Sequence, residues 1–462
     1  MNTAKLLSTT SHASCLARAT SDTVARVCTF RLPHRLPSSA ELKPFRVFSR
    51  ARSEFWRADT GCFDSTRFDH RRLQTRRNTT KRTFCTSAMD SSKPESDIAP
   101  EVRVVTYNVL SSKLARSEQF PSCAPEDLKA NVRYKRILTK LEAEVEQGSI
   151  LCLQEVPMEW AGDLHTFFQQ RGFHFLVSLY GTPFNGYMGV GIAFPVSKYR
   201  AEKMKLARLS DFRRDWPRPP RPNALQKALK AVSSPAVGLW RLGTKSVRGL
   251  LNLPRPDQKV DEWQYSMRRF NSIATVKLQC DATGSVFSVS TYHMPCAFWA
   301  PKVMTIHTAL CAQFAEREAG GVPWVLCGDF NIKPSDLQYQ LLTEGRMDPN
   351  HPQYTTGCPV KPDYDNSDWA AELKTPLRSA YKEALGSEPD FTNYAQVREQ
   401  PPFIETLDYV FLSPGWAVAQ VLPLVHRDEA GGPFPNASEP SDHVLIGAAL
   451  TLPAPEAAAP VP

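Results

Sequence analysis

The sequence predicts an α+β fold built on short buried strands that end in polar side chains. Three observations predict it. Apolar runs of strand length recur along the chain, as in Ile150–Leu151–Cys152–Leu153 and Val325–Leu326–Cys327. Between them lie stretches with apolar residues at helical spacing, the clearest being Val132, Ile137, Leu138, Leu141 and Val145 within 130–147. One strand run after another then stops on an acid, an amide or a histidine: Asn108, Glu155, His293, Asp329 with Asn331, Asp408, and Asp442 with His443.

The chain opens on a different composition. Residues 1–88 hold 17 Lys and Arg against 6 Asp and Glu, whereas the remaining 374 residues hold 39 against 41. The net charge of +9 therefore belongs to the N-terminal segment and does not mark the folded part as a nucleic-acid binder. Scattered Arg, abundant Ser and Thr and no apolar h-region read as a disordered organelle presequence, mitochondrial by its Arg content, with a plastid-type organelle as the alternative. A start at Met89 would instead give a cytoplasmic protein. A polar linker covers 89–100. Eleven scattered cysteines form no CxxC pair, and read as reduced thiols. No run of about 18 apolar residues is present, so no membrane span is expected.

The elements follow in order. Val102–Tyr107 is a strand ending at Asn108, 130–147 an amphipathic helix that Gly148 terminates, and Ile150–Gln154 a buried strand delivering Glu155. A short helix suits 160–170, and strands suit 173–180 and 187–194. Residues 211–260 interrupt the rhythm with 11 Lys and Arg against 3 acids. Amphipathic helices fit within them at Leu225–Val232 and Val237–Leu251. This insertion is either a solvated surface excursion or a grip on a single strand, its cations on phosphates and Trp216 or Trp240 on bases. Strands resume at 271–279 and at 285–292, the second delivering His293. A helix at 301–318 precedes the strand 323–327. Residues 345–370 are loop, Thr406–Leu412 and Val444–Leu450 are strands, and the Pro- and Ala-rich tail 453–462 is disordered by composition.

The polar strand ends are a set with one chemistry. Asp329 and Asn331 lie two apart and point the same way on extended backbone, so a carboxylate and an amide can serve one phosphate together. Asp408, flanked by Leu407 and Tyr409, needs a partner if it is buried. Two histidines and no cysteine make a poor zinc set. Carboxylate and carbonyl oxygens instead suit Mg²⁺, with Mn²⁺ as a substitute.

The order TYNVL (106–110), CLQEV (152–156), TYHMP (291–295), GDFNIKPSD (328–336), FTNYA (391–395), TLDYVF (406–411) and PSDH (440–443) resembles the endonuclease/exonuclease/phosphatase superfamily, whose founding fold is that of DNase I. The last three motifs together are most similar to its CCR4, nocturnin and Angel deadenylase branch. The resemblance covers residues 101–452. It implies a four-layered α/β/β/α sandwich and a Mg²⁺-dependent phosphoesterase. It implies metal-holding roles for Glu155, Asn108 and Asp442. Asp329 would orient or deprotonate water, Asn331 would donate hydrogen bonds to the reacting phosphate, and His293 would contact that phosphate or the leaving oxygen. His443 would pair with Asp408. Asn185, Phe391 and Asn393 would face the substrate.

The sequence departs from the branch in two places. Asn185–Gly191 lacks the acid found there in the family, and Met294–Trp299 follows His293 where the branch carries an Asn. Both stretches border the family's substrate. The expected activity is 3′→5′ exoribonucleolytic release of nucleoside 5′-monophosphates from RNA. The alternatives are a phosphomonoesterase acting on a nucleotide such as the 2′-phosphate of NADP(H), and a catalytically inactive RNA-binding module. An abasic-site endonuclease fits the motif pairing less well, and no SWCDR-like segment suggests an inositol-phosphate phosphatase. No leucine-rich-repeat docking module is found.

Overall fold

Each buried strand carries apolar residues on both faces, and each face has its own layer to pack against. The computed structural model describes residues 101–221, 223–224 and 261–452. The expected presequence, linker, C-terminal tail and the two helices at Leu225–Val232 and Val237–Leu251 lie outside them. One sheet has the order β13-β14-β1-β2-β4-β3. Its strands are β1 (Glu101–Asn108), β2 (Ile150–Val156), β3 (Phe173–Leu179), β4 (Gly189–Pro195), β13 (Ala417–Val421) and β14 (Ile446–Thr451). The other has the order β5-β6-β7-β8-β12-β9. It consists of β5 (Tyr199–Arg208), β6 (Ser272–Cys280), β7 (Val286–His293), β8 (Trp324–Asp329), β9 (Arg378–Ser379) and β12 (Asp408–Leu412). A small ribbon pairs β10 (Asn393–Ala395) with β11 (Phe403–Glu405).

The two sheets meet through alternate residues. Val102 and Val104 of β1, Ile150 and Cys152 of β2, and Val325 and Cys327 of β8 share the central core. The intervening residues turn outward. Val105, Tyr107, Leu151 and Leu153 pack with α1 (Ala130–Glu146) and α2 (Met158–Gln169). Leu326, Tyr409 and Phe411 pack with α4 (Pro301–Ala319), beyond the short α3 (Glu262–Met267). Burial on both faces is why these strands read as continuous apolar runs. The result is the expected four-layered sandwich. α4 begins with Pro301 at its first position and ends on left-handed Gly320, the usual asymmetry of helix ends. Among the described residues, no helix is long and apolar enough to cross a membrane.

Some elements were not anticipated. β5 is an edge strand whose side chains are largely exposed and Lys-rich, so it shows no apolar run. α5 (Leu337–Glu344) follows the Asp329 turn, and within the expected loop 345–370 a single helical turn, α6 (Tyr354–Gly357), forms. α7 (Ala380–Leu385) precedes the FTNYA stretch.

The start of the 211–260 stretch is part of the core. Trp216 is buried against Trp263, and its indole N–H donates to the Ser210 carbonyl at 2.8 Å. Arg213 lies among the rings of Trp216, Trp263 and Trp369 while Ser367 (2.7 Å) and Asp365 (3.2 Å) accept from its guanidinium. Trp216 is therefore a packing residue and not a surface for bases: a ring this large is buried wherever the fold offers it neighbours and an acceptor.

Candidate active site

Strand register assembles the site. β7 and β8 run parallel with His293 beside Asp329, and β12 runs antiparallel to β8 with Asp408 beside Asp329 on its other side. Asp329 thus stands at the centre of three adjacent strand ends. Gly328 allows this spacing: with φ +139°, a Cβ there would sit 2.0 Å from the Tyr292 carbonyl oxygen. Across the core, β1 and β2 run parallel, with Asn108 at the end of β1 beside Gln154, the residue before Glu155.

The two sheets meet through side chains at this rim. Asn108 donates its amide to Asp329 Oδ2 at 2.9 Å and to Glu155 Oε1 at 3.3 Å. The Ser111 N–H donates to Glu155 Oε2 at 2.9 Å. His293 Nε2 lies 3.5 Å from Asp329 Oδ2 and 4.0 Å from Glu155 Oε1, and His443 Nε2 lies 3.6 Å from the same Asp329 oxygen. On its far side, His443 Nδ1 meets Asp408 Oδ2 at 2.7 Å. The Asn331 N–H donates to Asp329 Oδ1 at 2.9 Å, and its side-chain amide donates to the Met294 carbonyl at 3.1 Å. Glu155 and Asn331 both hold left-handed backbone, at φ +56° and +50°. For Glu155 the turn coincides with a shift in the β2–β4 register between Leu153 and Val156. Such conformations cost about 1–3 kcal/mol each and persist where the surroundings fix them.

The electrostatics separate two halves. Burial pulls the His443 imidazole down, but the carboxylates of Asp408 and Asp329 outweigh it and hold the ring well above its ordinary range. The Asp408 carboxyl is raised by burial, opposed by His443. Its outer oxygen, Oδ1, is enclosed without a partner. Ligand atoms of Asp329, Asp408 and His443 lie within 4.8 Å of one another. Because His443 and Asp408 already bond each other, that trio is an acid–base pair beside a carboxylate. The other half holds the carboxylates of Glu155 and Asp442 and the Asn108 amide. Burial, reinforced by the charge of Glu155, pushes the Asp442 carboxyl up to about 6. Two carboxylates beside an amide are a donor set that fits a hard divalent cation.

Of the substrate-facing expectations, Asn393 sits opposite His443 in an antiparallel bridge. The flanking bonds are Tyr394 N–H to Asp442 O (2.9 Å) and Val444 N–H to Thr392 O (2.8 Å), so Asn393 and His443 share a face. Asn185 is half-buried, and its side-chain oxygen accepts from Thr182 N–H at 2.7 Å, capping its own turn. Phe391 is corrected: it is 2% exposed and packs with Tyr394 and Phe434, so its ring is core and meets no substrate.

Several supporting residues escaped the sequence reading. Thr392, between Phe391 and Asn393, is the FTNYA residue that reaches the acid pair. Its hydroxyl donates to Asp408 Oδ2 at 2.7 Å and accepts from the Leu407 and Asp408 N–H groups. The motif held the signal, since residues flanking a core-facing phenylalanine alternate in direction. Arg133 on α1 is fully buried and donates to the carbonyls of Pro440, Val109 and Leu110 at 2.6–2.7 Å. Burial draws its pKa down to about 10. It ties the loop after Asn108 to the loop carrying Asp442 and His443, a link Ser441 repeats by donating to the Asn108 carbonyl at 2.6 Å. Nothing local distinguishes Arg133 from a surface residue of an amphipathic helix. The Tyr180 hydroxyl lies 3.3 Å from His293 Nδ1.

Comparison with known proteins follows the same lines. The profile of the Endonuclease/Exonuclease/phosphatase family matches residues 105–443. The CCR4-Not complex 3′-5′-exoribonuclease subunit Ccr4 of Aspergillus oryzae is 25% identical over 409 residues, covering 76% of this chain and 47% of that protein. The 2′,5′-phosphodiesterase 12 of Mus musculus is 24% identical over 404 residues, covering 82% and 53%. The chain thus spans about half the length of the curated relatives it matches. Among solved structures, that of ANGEL2, described as a 2′,3′-cyclic phosphatase, superposes with a TM-score of 0.55 at 18% identity, covering 78% of this chain and 97% of that one. It is evidence for the fold.

Proposed function

Because the chain belongs to the endonuclease/exonuclease/phosphatase family, we propose that it is a divalent-metal-dependent phosphodiesterase, a 3′→5′ exoribonuclease releasing nucleoside 5′-monophosphates. The observation that carries the reading is Asp329, whose Oδ2 lies within 3.6 Å of both His293 and His443 and accepts from Asn108. One carboxylate flanked by two imidazoles and an amide is suited to a phosphate and an attacking water. Asp329 aligns the water and takes its proton, within reach as a general base must be. His443, kept protonated by Asp408, places positive charge where the phosphate oxygens gain negative charge. His293 meets the phosphate or the leaving oxygen from the β7 side. Asn331, bonded to Asp329 and Met294, braces the turn that presents the base. Glu155 and Asp442, with Asn108, would hold the metal, Mg²⁺ by the preference for oxygen donors, and when bound it would supply Lewis acidity to the phosphate.

The test is product identity. Full-length protein with Mg²⁺ is incubated with poly(A), mixed-sequence RNA, 2′,5′-linked oligoadenylate, abasic DNA and NADPH. Nucleoside 5′-monophosphates arising stepwise from the RNA 3′ end support the reading. Phosphate released from NADPH alone, or binding of RNA without any product, overturns it.

A further inference from the structure

A cation and an aromatic ring stand unused beside the proposed centre. After α3 the chain runs Arg268–Arg269–Phe270–Asn271 into β6, and the Asn271 amide donates to the His293 carbonyl at 2.9 Å. This places the segment at the β7 side of the site. Arg269 is half-buried, and among the described residues no carboxylate lies within ion-pair distance of it. One of its terminal nitrogens, Nη1, donates to the Tyr265 hydroxyl at 2.9 Å, and its Nε is enclosed without an acceptor. Its guanidinium lies 5.2 Å from the Tyr265 ring, which packs at 5.0 Å on Trp299 of the loop after His293. Arg269 is also close enough to Tyr180, the neighbour of His293, to counter the upward push that burial gives that hydroxyl. Phe270 is 60% exposed, and one face of its ring lies under the Arg208 guanidinium at 4.8 Å.

A half-buried guanidinium without a counter-charge, next to an exposed ring, has the chemistry of a nucleotide subsite. The cation matches a phosphate, and the ring matches a base. We propose that Arg269 and Phe270 form a subsite for the nucleotide next to the scissile phosphate of a single strand, Arg269 on its phosphodiester and Phe270 stacked on its base. This deepens the phosphodiesterase reading and rests on it.

Binding tests it apart from catalysis. A fluorescein-labelled single-stranded oligoadenylate is titrated with the full-length protein in EDTA, over a series of salt concentrations, and read by anisotropy. Arg269→Ala should weaken binding about tenfold and reduce the slope of log K against log salt by about 0.7, the loss of one single-strand phosphate contact. Phe270→Ala, a change at an exposed ring that does not threaten folding, should weaken binding by about tenfold without changing the slope. Arg346→Ala, which removes an exposed charge elsewhere, should bind like the parent. Parent-like binding by the first two variants overturns the proposal, as does an unchanged salt slope for Arg269→Ala. Hydrolysis of bis(p-nitrophenyl) phosphate with Mg²⁺ reports on the enzymatic reading separately. A parent protein inert on it that still shows these binding differences overturns the enzyme and not the subsite.

Discussion

Asp408→Asn removes one negative charge from the buried pair with almost no change of shape. In the parent, Asp408 Oδ2 accepts from His443 Nδ1 at 2.7 Å and from Thr392 at 2.7 Å. The gross attraction of two unit charges at that separation is about 6 kcal/mol at an effective dielectric of 20. Measured breakage of buried pairs costs less, about 3–5 kcal/mol, because the surroundings relax. Losing that carboxylate therefore lowers the His443 pKa. Burial, until then outweighed, is left opposed mainly by Asp329 and Asp442, and the ring gives up its proton more readily. His443 Nδ1 and the Thr392 hydroxyl bond the same oxygen, so the amide keeps one of these two contacts while the charge is lost. Loss of one charged contact to the transition state should lower kcat about 100- to 1000-fold. The sign of the pH effect is specific. In the parent the raised pKa keeps His443 protonated across pH 6–8, and the rate does not decline there through its loss. In the variant the rate falls as pH rises through the lowered pKa. The assay is hydrolysis of a minimal phosphodiester at saturating Mg²⁺ from pH 5.5 to 8.5, with circular dichroism confirming the fold. A variant within threefold of the parent and with the same pH profile would refute the role given to the pair.

Three other perturbations follow from the same contacts. Glu155→Gln should lower hydrolysis about 100-fold or more, the scale on which metal sites lose function with even an outer partner. It should also abolish any rise in melting temperature on adding Mg²⁺ or Mn²⁺, so a variant still stabilised by the ions would remove Glu155 from the metal site. Arg133→Met leaves the carbonyls of Val109, Leu110 and Pro440 without their donor. At about 1–3 kcal/mol for each unsatisfied group, urea unfolding should show a loss of at least about 3 kcal/mol, and a loss below 1 kcal/mol would contradict the tie. His307 is buried between the Tyr292 hydroxyl and the Ser266 carbonyl, and burial lowers its pKa to about 3. Unfolded chains bind that proton below about pH 6.5, so the contribution to stability is complete above 6.5 and lost as pH falls. The loss should reach about 2 kcal/mol at pH 5. His307→Gln should flatten that part of the pH dependence, and an unaltered slope would show that other groups cause it.

Sequence by itself determined the buried strands, their helices and the polar residues at their ends. Those signals are local: a strand buried on both faces must be apolar throughout, and an acid or histidine at its end stands out. The family order of motifs then supplied the sandwich. Tertiary structure decided which end meets which. Asp329 is central because the register of β7, β8 and β12 sets His293 and Asp408 on either side of it. Thr392 serves the acid pair while Phe391 is core, a one-residue alternation settled by packing. Arg133 crosses from α1 to hold two loops more than 300 residues apart in sequence, at Leu110 and Pro440. Trp216, readable as a surface for bases, is a core ring because Arg213 and Trp263 pack against it. β5 was invisible because an edge strand needs no apolar face of its own. In each case the missing information was a partner distant in sequence, and burial or satisfaction by such a partner is a property of the packed chain alone.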